Sequence, residues 1–236
     1  DIKLLALPGV RHEQITNKAV EAVETRFDAL YIMDIEERDV DNKVITGSVQ
    51  DPGVNNTVSA FKDRGLDTSF AAAYFPDVTI RDPFLGVNVQ VPPSVAVLGA
   101  FALNDTVAHP WFAPAGFTRG ALDPNTEGRT VAVNLSRTNL DTVYDSDINP
   151  LTSFPGSSGI VVWGQKTLLA AQSSLDRVNV RRLLIEIRRQ VKLVGNTILF
   201  EPNRESTLAK FSSAVQPILT RIQEQQGLDR FKVVID

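Results

Sequence analysis

The sequence predicts an α/β (mixed α+β) fold in which a largely parallel central sheet is flanked by helices. Five short runs are almost continuously apolar, which is typical of central strands that are covered on both faces. Helical patterns alternate with the first three runs, as in a parallel sheet. The chain has 236 residues, of which 43% are hydrophobic and 22% are charged, so it can bury a sizeable core.

The N-terminal third supplies the alternation of strands and helices. Residues 2–7, 29–35 and 69–75 are the first three predicted strands, and residues 16–27 and 54–64 are the predicted helices between them. Crossovers between parallel strands are almost always right-handed, so we expect these helices to cover the faces of the sheet.

Two segments interrupt this alternation. Residues 36–56 are rich in acidic side chains and contain the turn signal Asp51-Pro52-Gly53, which predicts an exposed acidic loop. The proline-rich stretch at about 110–155 is predicted to be a long irregular segment, and such segments usually serve an interface or a function. We place a subdivision of the chain, if it has one, near residues 84–110.

The C-terminal part is predicted to contain a strand at residues 160–163, two long helices and a last strand at residues 231–235. In the second of these helices, at 204–226, Asn203 is the expected N-cap and Gly227 the expected terminator. Its inward-facing residues are predicted to be Leu208, Phe211, Val215, Ile218 and Ile222, and Pro217 is expected to kink it.

The first long helix, at residues 177–194, separates its apolar and basic side chains. The predicted apolar face consists of Val180, Leu183, Leu184, Ile187, Val191 and Val194. The basic face, which is the candidate interface, consists of Arg177, Arg181, Arg182, Arg188, Arg189 and Lys192. Only Glu186 opposes these charges, so the helix carries +5 within a chain of net charge −4. Unpaired like charges repel, so we expect acidic partners nearby, on the same chain or on another protein. A simple solvated face is an equally good interpretation.

Composition excludes several classes of protein. The absence of cysteine excludes disulfides, cysteine-ligated metal centres and thiol nucleophiles. His12 and His109 lie far apart in sequence, which argues against a histidine-rich metal site. The net negative charge argues against nucleic-acid binding, and the longest mainly apolar run, at 94–103, is about half of what a membrane span needs.

Two motifs resemble enzyme signatures without matching them. Residues 159–167 come within one residue of a phosphate-binding loop, but Gln165 separates the second glycine from Lys166. Four strand-forming residues also lie between the two glycines. Near Ser157 and Ser158, the glycine spacing of a nucleophile elbow is missing.

A third motif, at residues 145–149, has the spaced oxygens of a calcium loop. Pro150 stands where such a loop needs glycine, and Gly156 stands where it needs glutamate. We therefore predict no catalytic, cofactor-binding or metal-binding residues.

A collinear series of short stretches is more specific than any of these motifs. It extends over about residues 70–236, with weaker agreement from Pro8-Gly9 to Ile35. The stretches are Ala72-Ala-Tyr-Phe-Pro76, Val91-Pro-Pro-Ser94, His109-Pro-Trp-Phe-Ala-Pro-Ala-Gly116, Arg119-Gly120, Ile148-Asn-Pro150, Gly159-Ile-Val-Val-Trp-Gly164-Gln-Lys-Thr-Leu168, Val178-Asn-Val-Arg-Arg-Leu-Leu-Ile185 and Leu199-Phe-Glu-Pro-Asn203. Together they resemble the contractile bacteriophage tail sheath family.

The resemblance implies a structural virion protein with no enzymatic activity and no cofactor. Sheath subunits assemble in the host bacterial cytoplasm as stacked hexameric rings around the tail tube, between the baseplate and the tail terminator proteins. Contraction then drives the tube through the host envelope. The sheath of a phage-tail-like bacteriocin or of a type VI secretion machine is the alternative. A hydrolase using Ser157 or Ser158, or a nucleotide-binding enzyme at residues 164–167, is a weaker one.

The resemblance also bears on the ends of the chain. Sheath subunits exchange terminal strands, whereas this sequence starts at Asp1 without methionine and stops at Asp236. We therefore expect residues 1–236 to be a sheath core fragment that lacks its N- and C-terminal assembly segments and is monomeric alone. Part of the basic helix is expected to contact acidic residues of the tube or of an adjacent subunit.

Overall fold

The computed structural model describes residues 2–46, 52–82, 84–122, 130–154 and 159–234. The helices are α1 (Glu13–Arg26), α2 (Val54–Lys62), α3 (Pro93–Val107), α4 (Gly116–Arg119), α5 (Arg137–Tyr144), α6 (Val178–Thr197) and α7 (Glu205–Glu224). The strands are β1 (Leu4–Ala6), β2 (Leu30–Asp34), β3 (Ala71–Phe75), β4 (Val78–Arg81), β5 (Asn88–Val91), β6 (Thr130–Val131), β7 (Ile148–Thr152) and β8 (Val161–Val162).

The central sheet has the order β1-β2-β3-β7-β8, in which the first four strands are parallel and β8 is antiparallel to β7. Strands β2 and β3 are buried along their whole length, which explains their continuously apolar sequences. The α/β prediction is confirmed, as are the first three predicted strands and the strand at 160–163. The strand predicted at 231–235 is wrong over residues 231–234, which pair with no strand in the described part of the chain.

Helices cover both faces of the central sheet. On one face, α1 and α2 pack on Tyr31 and Met33 of β2, together with Val143 of α5. On the other face, α3 and the first half of α6 pack on Leu30 and Ile32. Successive residues of β2 contribute alternately to the two faces, because side chains along a strand alternate with a period of two residues.

The proline-rich segment at 110–155 is more regular than predicted, because it contains α4, α5, β6 and β7. Strand β7 includes Asn149 and Pro150, residue types that argue against a strand. Asn149 Nδ2 donates to the carbonyl oxygens of Ala73 (3.1 Å) and Lys166 (2.8 Å), and its Oδ1 accepts from the Lys166 backbone at 2.6 Å. These three hydrogen bonds join β7 to β3 and to the segment after β8. A buried polar side chain thus stabilises a strand that its sequence disfavours.

A second sheet, with the antiparallel order β5-β4-β6, was not predicted. It follows β3 directly, and its residues Val78 and Val131 belong to the apolar cluster in which α3 packs on the central sheet. The Pro-Pro-Ser sequence begins α3, as expected for proline in the first turn of a helix. The subdivision near residues 84–110 stays a prediction.

The acidic segment after β2 is only partly exposed. Val40 to Val44 are exposed, and residues 47–51 lie outside the described part of the chain. Asp34 and Glu37, in contrast, are buried, with exposed fractions of 1% and 3%. Asp34 accepts hydrogen bonds from the backbone (2.8 Å) and hydroxyl (2.7 Å) of Ser94 and from the backbone of Gly9 (3.0 Å). It therefore caps the first turn of α3, which explains why an acid ends β2.

The final helix, α7, ends where the sequence predicts. Gln226 has a φ of 61°, and the Gly227 amide donates to the Ile222 carbonyl at 2.8 Å. This is a Schellman ending, with the glycine one position beyond the left-handed residue. A side chain on Gly227 would lie 2.6 Å from Ile222 Cγ2, so glycine is needed there for space. The cap residue at the start is Arg204 rather than the predicted Asn203, and its side chain forms no capping hydrogen bond.

Candidate assembly interface

Helix α6 buries part of the face that its apolar pattern predicts: Leu183 is buried and Ile187 packs against the same cluster. Its buried residues are Val178, Arg182, Leu183, Ile185 and Glu186. Leu184, which was predicted to face inward, is 39% exposed. The pattern is incomplete because one arginine and one glutamate of this helix have partners inside the protein, so their burial does not leave a charge unpaired.

Arg182 is a structural residue. It is 5% exposed, and its guanidinium bonds both carboxylate oxygens of Asp105 on α3, at 2.7 and 2.6 Å. The same group lies over the Phe101 ring, 4.8 Å from the centroid. This ion pair joins α6 to α3, so Arg182 is not available to a partner protein.

Arg181 is also engaged within the chain. It donates to the hydroxyl of Ser69 and stacks over Phe70 at 4.0 Å, just before β3. Burial lowers the pKa of the Arg181 guanidinium. Both contacts fix the position of α6 relative to the central sheet.

Two further cations of the predicted set form local pairs. Arg177 donates to the Tyr144 hydroxyl at 2.9 Å and pairs with Asp176 at 3.1 Å. The hydrogen bond to Tyr144 raises the pKa of the Arg177 guanidinium. Arg189 pairs with Glu186 at 2.7 Å. These pairs account for part of the acidic counter-charge that the sequence leads us to expect.

Glu186 is the main anion of the helix. Lys3 pairs with it at 2.8 Å, and Gln190 donates to it at 2.7 Å. Although burial acts to raise its pKa, hydrogen bonds from Arg189, Lys3 and Gln190 outweigh burial and lower the pKa of Glu186 to about 2. The carboxylate therefore stays ionised at neutral and mildly acidic pH.

Arg188 and Lys192 are the exposed members of the predicted basic face. Arg188 stacks over Phe27 at 5.3 Å, and the charge of Lys192 helps, after Arg26, to lower the pKa of Asp28. With Leu184 they are spaced four residues apart, so the three side chains follow one line along the helix. We call Leu184, Arg188 and Lys192 the α6 strip.

The connection between α6 and α7 exposes two large apolar side chains. Leu199 is 62% exposed and Phe200 is 98% exposed. Large apolar side chains that face solvent are typical of a protein-binding surface. The α6 strip and this connection are therefore two exposed parts of the helix pair that another protein can reach.

The enzyme-like motifs have structural explanations. Residues 161–162 form β8, as the strand-forming sequence predicts, and Lys166 binds the Tyr144 carbonyl (2.8 Å) and Asp147 (3.2 Å). A side chain on Gly164 would lie 2.7 Å from Asn149 Oδ1, so this glycine makes room for Asn149.

The remaining candidates are the two serines and the histidines. Ser157 and Ser158 lie outside the described residues. His109 stacks on Trp111, with ring centroids 4.7 Å apart. The described residues contain no cluster of three or more acidic or histidine side chains that could hold a metal ion, and none of their helices is long and apolar enough to cross a membrane.

Comparison with known proteins identifies relatives that are tail sheath proteins. The chain is 37% identical over 155 residues to the tail sheath protein of Vibrio phage KVP40, an alignment that covers 66% of this chain and 22% of that protein. It is 30% identical over 155 residues to the tail sheath protein of Enterobacteria phage T4, covering 66% of this chain and 23% of that one. The matched part of the chain thus spans less than a quarter of the length of these two relatives. No family model matches the chain.

A solved sheath structure is similar to nearly the whole chain. The sheath complex of an extracellular contractile injection system, PVC, in its contracted state, is similar with a TM-score of 0.74 and 25% identity. The match covers 99% of this chain and 58% of that one. The predicted resemblance to contractile tail sheath proteins is confirmed.

Proposed function

We propose that this chain is the core of a tail sheath subunit, a structural protein that polymerises as hexameric rings around the tail tube of a contractile phage. The observation that supports this most strongly is the similarity to two phage tail sheath proteins over two thirds of the chain. Contraction of the rings drives the tube through the host envelope. The subunit needs no cofactor and no catalytic site, because the energy is stored in a bistable array of interfaces.

The proposed partners are other sheath subunits, the tail tube, the baseplate and the tail terminator proteins. The protein is then a component of the virion and is assembled in the cytoplasm of the host bacterium. Electron microscopy of the intact gene product, expressed alone, tests this proposal. We expect tubular polymers; monodisperse particles that hydrolyse an ester or a nucleotide would contradict it.

We further propose that the α6 strip contacts acidic residues of the tube or of an adjacent subunit. Arg188 and Lys192 are exposed cations, whereas four other basic residues of the helix have partners within the chain. Opposite charges across an interface mainly set its specificity and its rate of association. The interaction should therefore weaken as salt screens the charges.

Charge reversal tests the role of the strip. The double variant Arg188→Glu with Lys192→Glu should stay folded and should lose assembly of sheath around the tube at low ionic strength. Lys62→Glu with Arg230→Glu is the matched control, because it makes the same change in net charge at two exposed positions elsewhere. Unchanged assembly and contraction of the Arg188 and Lys192 variant at low salt would contradict the proposal.

A sheath in a phage-tail-like particle without a genome is a second candidate. The similarity to the PVC sheath, at 25% identity, favours it. Purified particles decide between the two: a phage has a DNA-filled capsid on its tail, and an injection system has none.

A further inference from the structure

Two carboxyl groups are buried side by side where β2 and β3 end. Glu37 is 3% exposed and Asp77 is 7% exposed. The backbone amide of Asp77 donates to Glu37 Oε1 at 3.2 Å. Parallel strands bring these two positions together, because their carboxyl ends share one edge of the sheet.

The pair joins three parts of the molecule. Arg11, in the turn before α1, donates to Asp77 Oδ1, and its other terminal nitrogen lies 3.7 Å from Glu37 Oε2. Gln90 of β5 donates to Asp77 Oδ2 at 3.1 Å. We call this contact between the N-terminal turn, the end of β2 and the β4–β5 hairpin the Glu37–Asp77 junction.

Positive charge at the junction is insufficient for two carboxylates. Among the described residues, the other charged or titratable groups around it are His12, Glu13, Asp34, Glu36, Arg38 and Arg64. The Arg64 guanidinium donates to Thr16 and Asn17 on α1. Arg38 pairs with Glu36 at 2.9 Å, and Asp34 is a third negative charge that acts on Asp77. In the described part of the chain, Arg11 is therefore the cation that contacts the pair directly, and it can balance one negative charge.

Burial and proximity favour the neutral form of one carboxyl group. Burial, and then the charge of Asp77, raise the pKa of Glu37 to about 7, against the opposing effect of Arg11. Burial also raises the pKa of Asp77. An open cleft of about 420 Å³, lined by Gly9, Arg11 and Gln90 among others, lets water reach the pair, so a proton can exchange with solvent.

We propose that Glu37 and Asp77 share one proton, and that the Glu37–Asp77 junction opens more often as this proton is lost between mildly acidic and neutral pH. When the shared proton is released to water, the two carboxylates of Glu37 and Asp77 face the single guanidinium of Arg11. Opening relieves their repulsion, because it returns the carboxylates to solvent. The proposal concerns this chain alone and does not depend on its assignment as a sheath protein.

Two measurements test it. Carboxyl carbon NMR of protein labelled in Glu and Asp should show one group that titrates above pH 6, and this signal should be absent in Glu37→Gln. Hydrogen exchange of the β4–β5 amides, corrected for intrinsic rates, should show an opening constant that rises about tenfold per pH unit from pH 5 to 7 and then levels off. In Glu37→Gln the opening constant should not change over this range.

The control is Glu21→Gln, which changes an exposed carboxyl on α1 and should leave both results as in the wild type. Titration of every carboxyl group below pH 5.5 in the wild type would overturn the proposal, whether or not Glu37→Gln folds. So would an opening constant in Glu37→Gln that rises with pH as the wild type's does.

Discussion

Removing the Asp105 carboxylate should destabilise the protein more than removing the Arg182 guanidinium with which it pairs. Arg182 is 5% exposed, so in Asp105→Ala it becomes a buried charge without a counter-ion. Breaking a buried pair in this way costs about 3–5 kcal/mol. Because the Asp105 side chain is 36% exposed, we reduce the expected loss of unfolding free energy to roughly 2–3 kcal/mol.

The reverse change should be milder. In Arg182→Met the apolar part of the side chain still covers Phe101, and Asp105 can turn towards water. We expect a loss of about 1 kcal/mol, because no charge is left buried. The order of the two variants is the specific prediction, since a simple surface pair would give two small and equal effects.

Urea unfolding followed by circular dichroism measures both variants. Asp229→Ala is the control, because its pair with Arg230 is almost fully exposed, and it should change the unfolding free energy by less than about 0.5 kcal/mol. Two results would contradict this prediction: Arg182→Met is the more destabilising of the two variants, or Asp105→Ala costs no more than the control. Either result would mean that this end of α6 is not fixed by the ion pair.

Three more predictions follow from the structure. Gly164→Ala should reduce the unfolding free energy by roughly 2 kcal/mol, because its new methyl group would meet Asn149. Urea unfolding measures this loss. An unchanged midpoint would contradict the proposed need for space at residue 164. The low pKa of Glu186 stabilises the fold above the pKa of the unfolded state, and this stability is lost as pH falls from about 4.5 towards about 2. Glu186→Gln should therefore flatten the acid limb of a pH–stability profile, and an unchanged acid limb would exclude this role. Phe200→Ser should leave the melting temperature unchanged, since the ring is 98% exposed, and should lower the yield of polymer in a sedimentation assay; full polymer yield would remove Phe200 from the interface.

The sequence predicts those elements whose apolar pattern is strong and local. Strands β2 and β3 are continuous apolar runs, and α7 ends at the glycine that predicts its end. Strand β7 could not be found in this way, because Asn149 and Pro150 both disfavour strands. Its stability comes from hydrogen bonds to Ala73 and Lys166, which are distant in sequence.

The predicted interface shows a second limit of sequence patterns. A helical wheel predicts that charged side chains face solvent, but it contains no information about aromatic rings and acids elsewhere in the chain that can contact them. Arg182 is buried because Phe101 and Asp105 lie opposite it on α3. Glu37 is buried for a similar reason, since Arg11 and Asp77 meet it only in the folded chain.

The most direct test of the central claim is a cryo-electron microscopy reconstruction of particles formed by the intact gene product with its tail tube protein. We predict a helical array of rings around a tube, in which each subunit contains the fold described for residues 2–234. The α6 strip should contact the tube or a neighbouring subunit. Particles without a sheath lattice, or a lattice in which this fold is absent, would contradict the account.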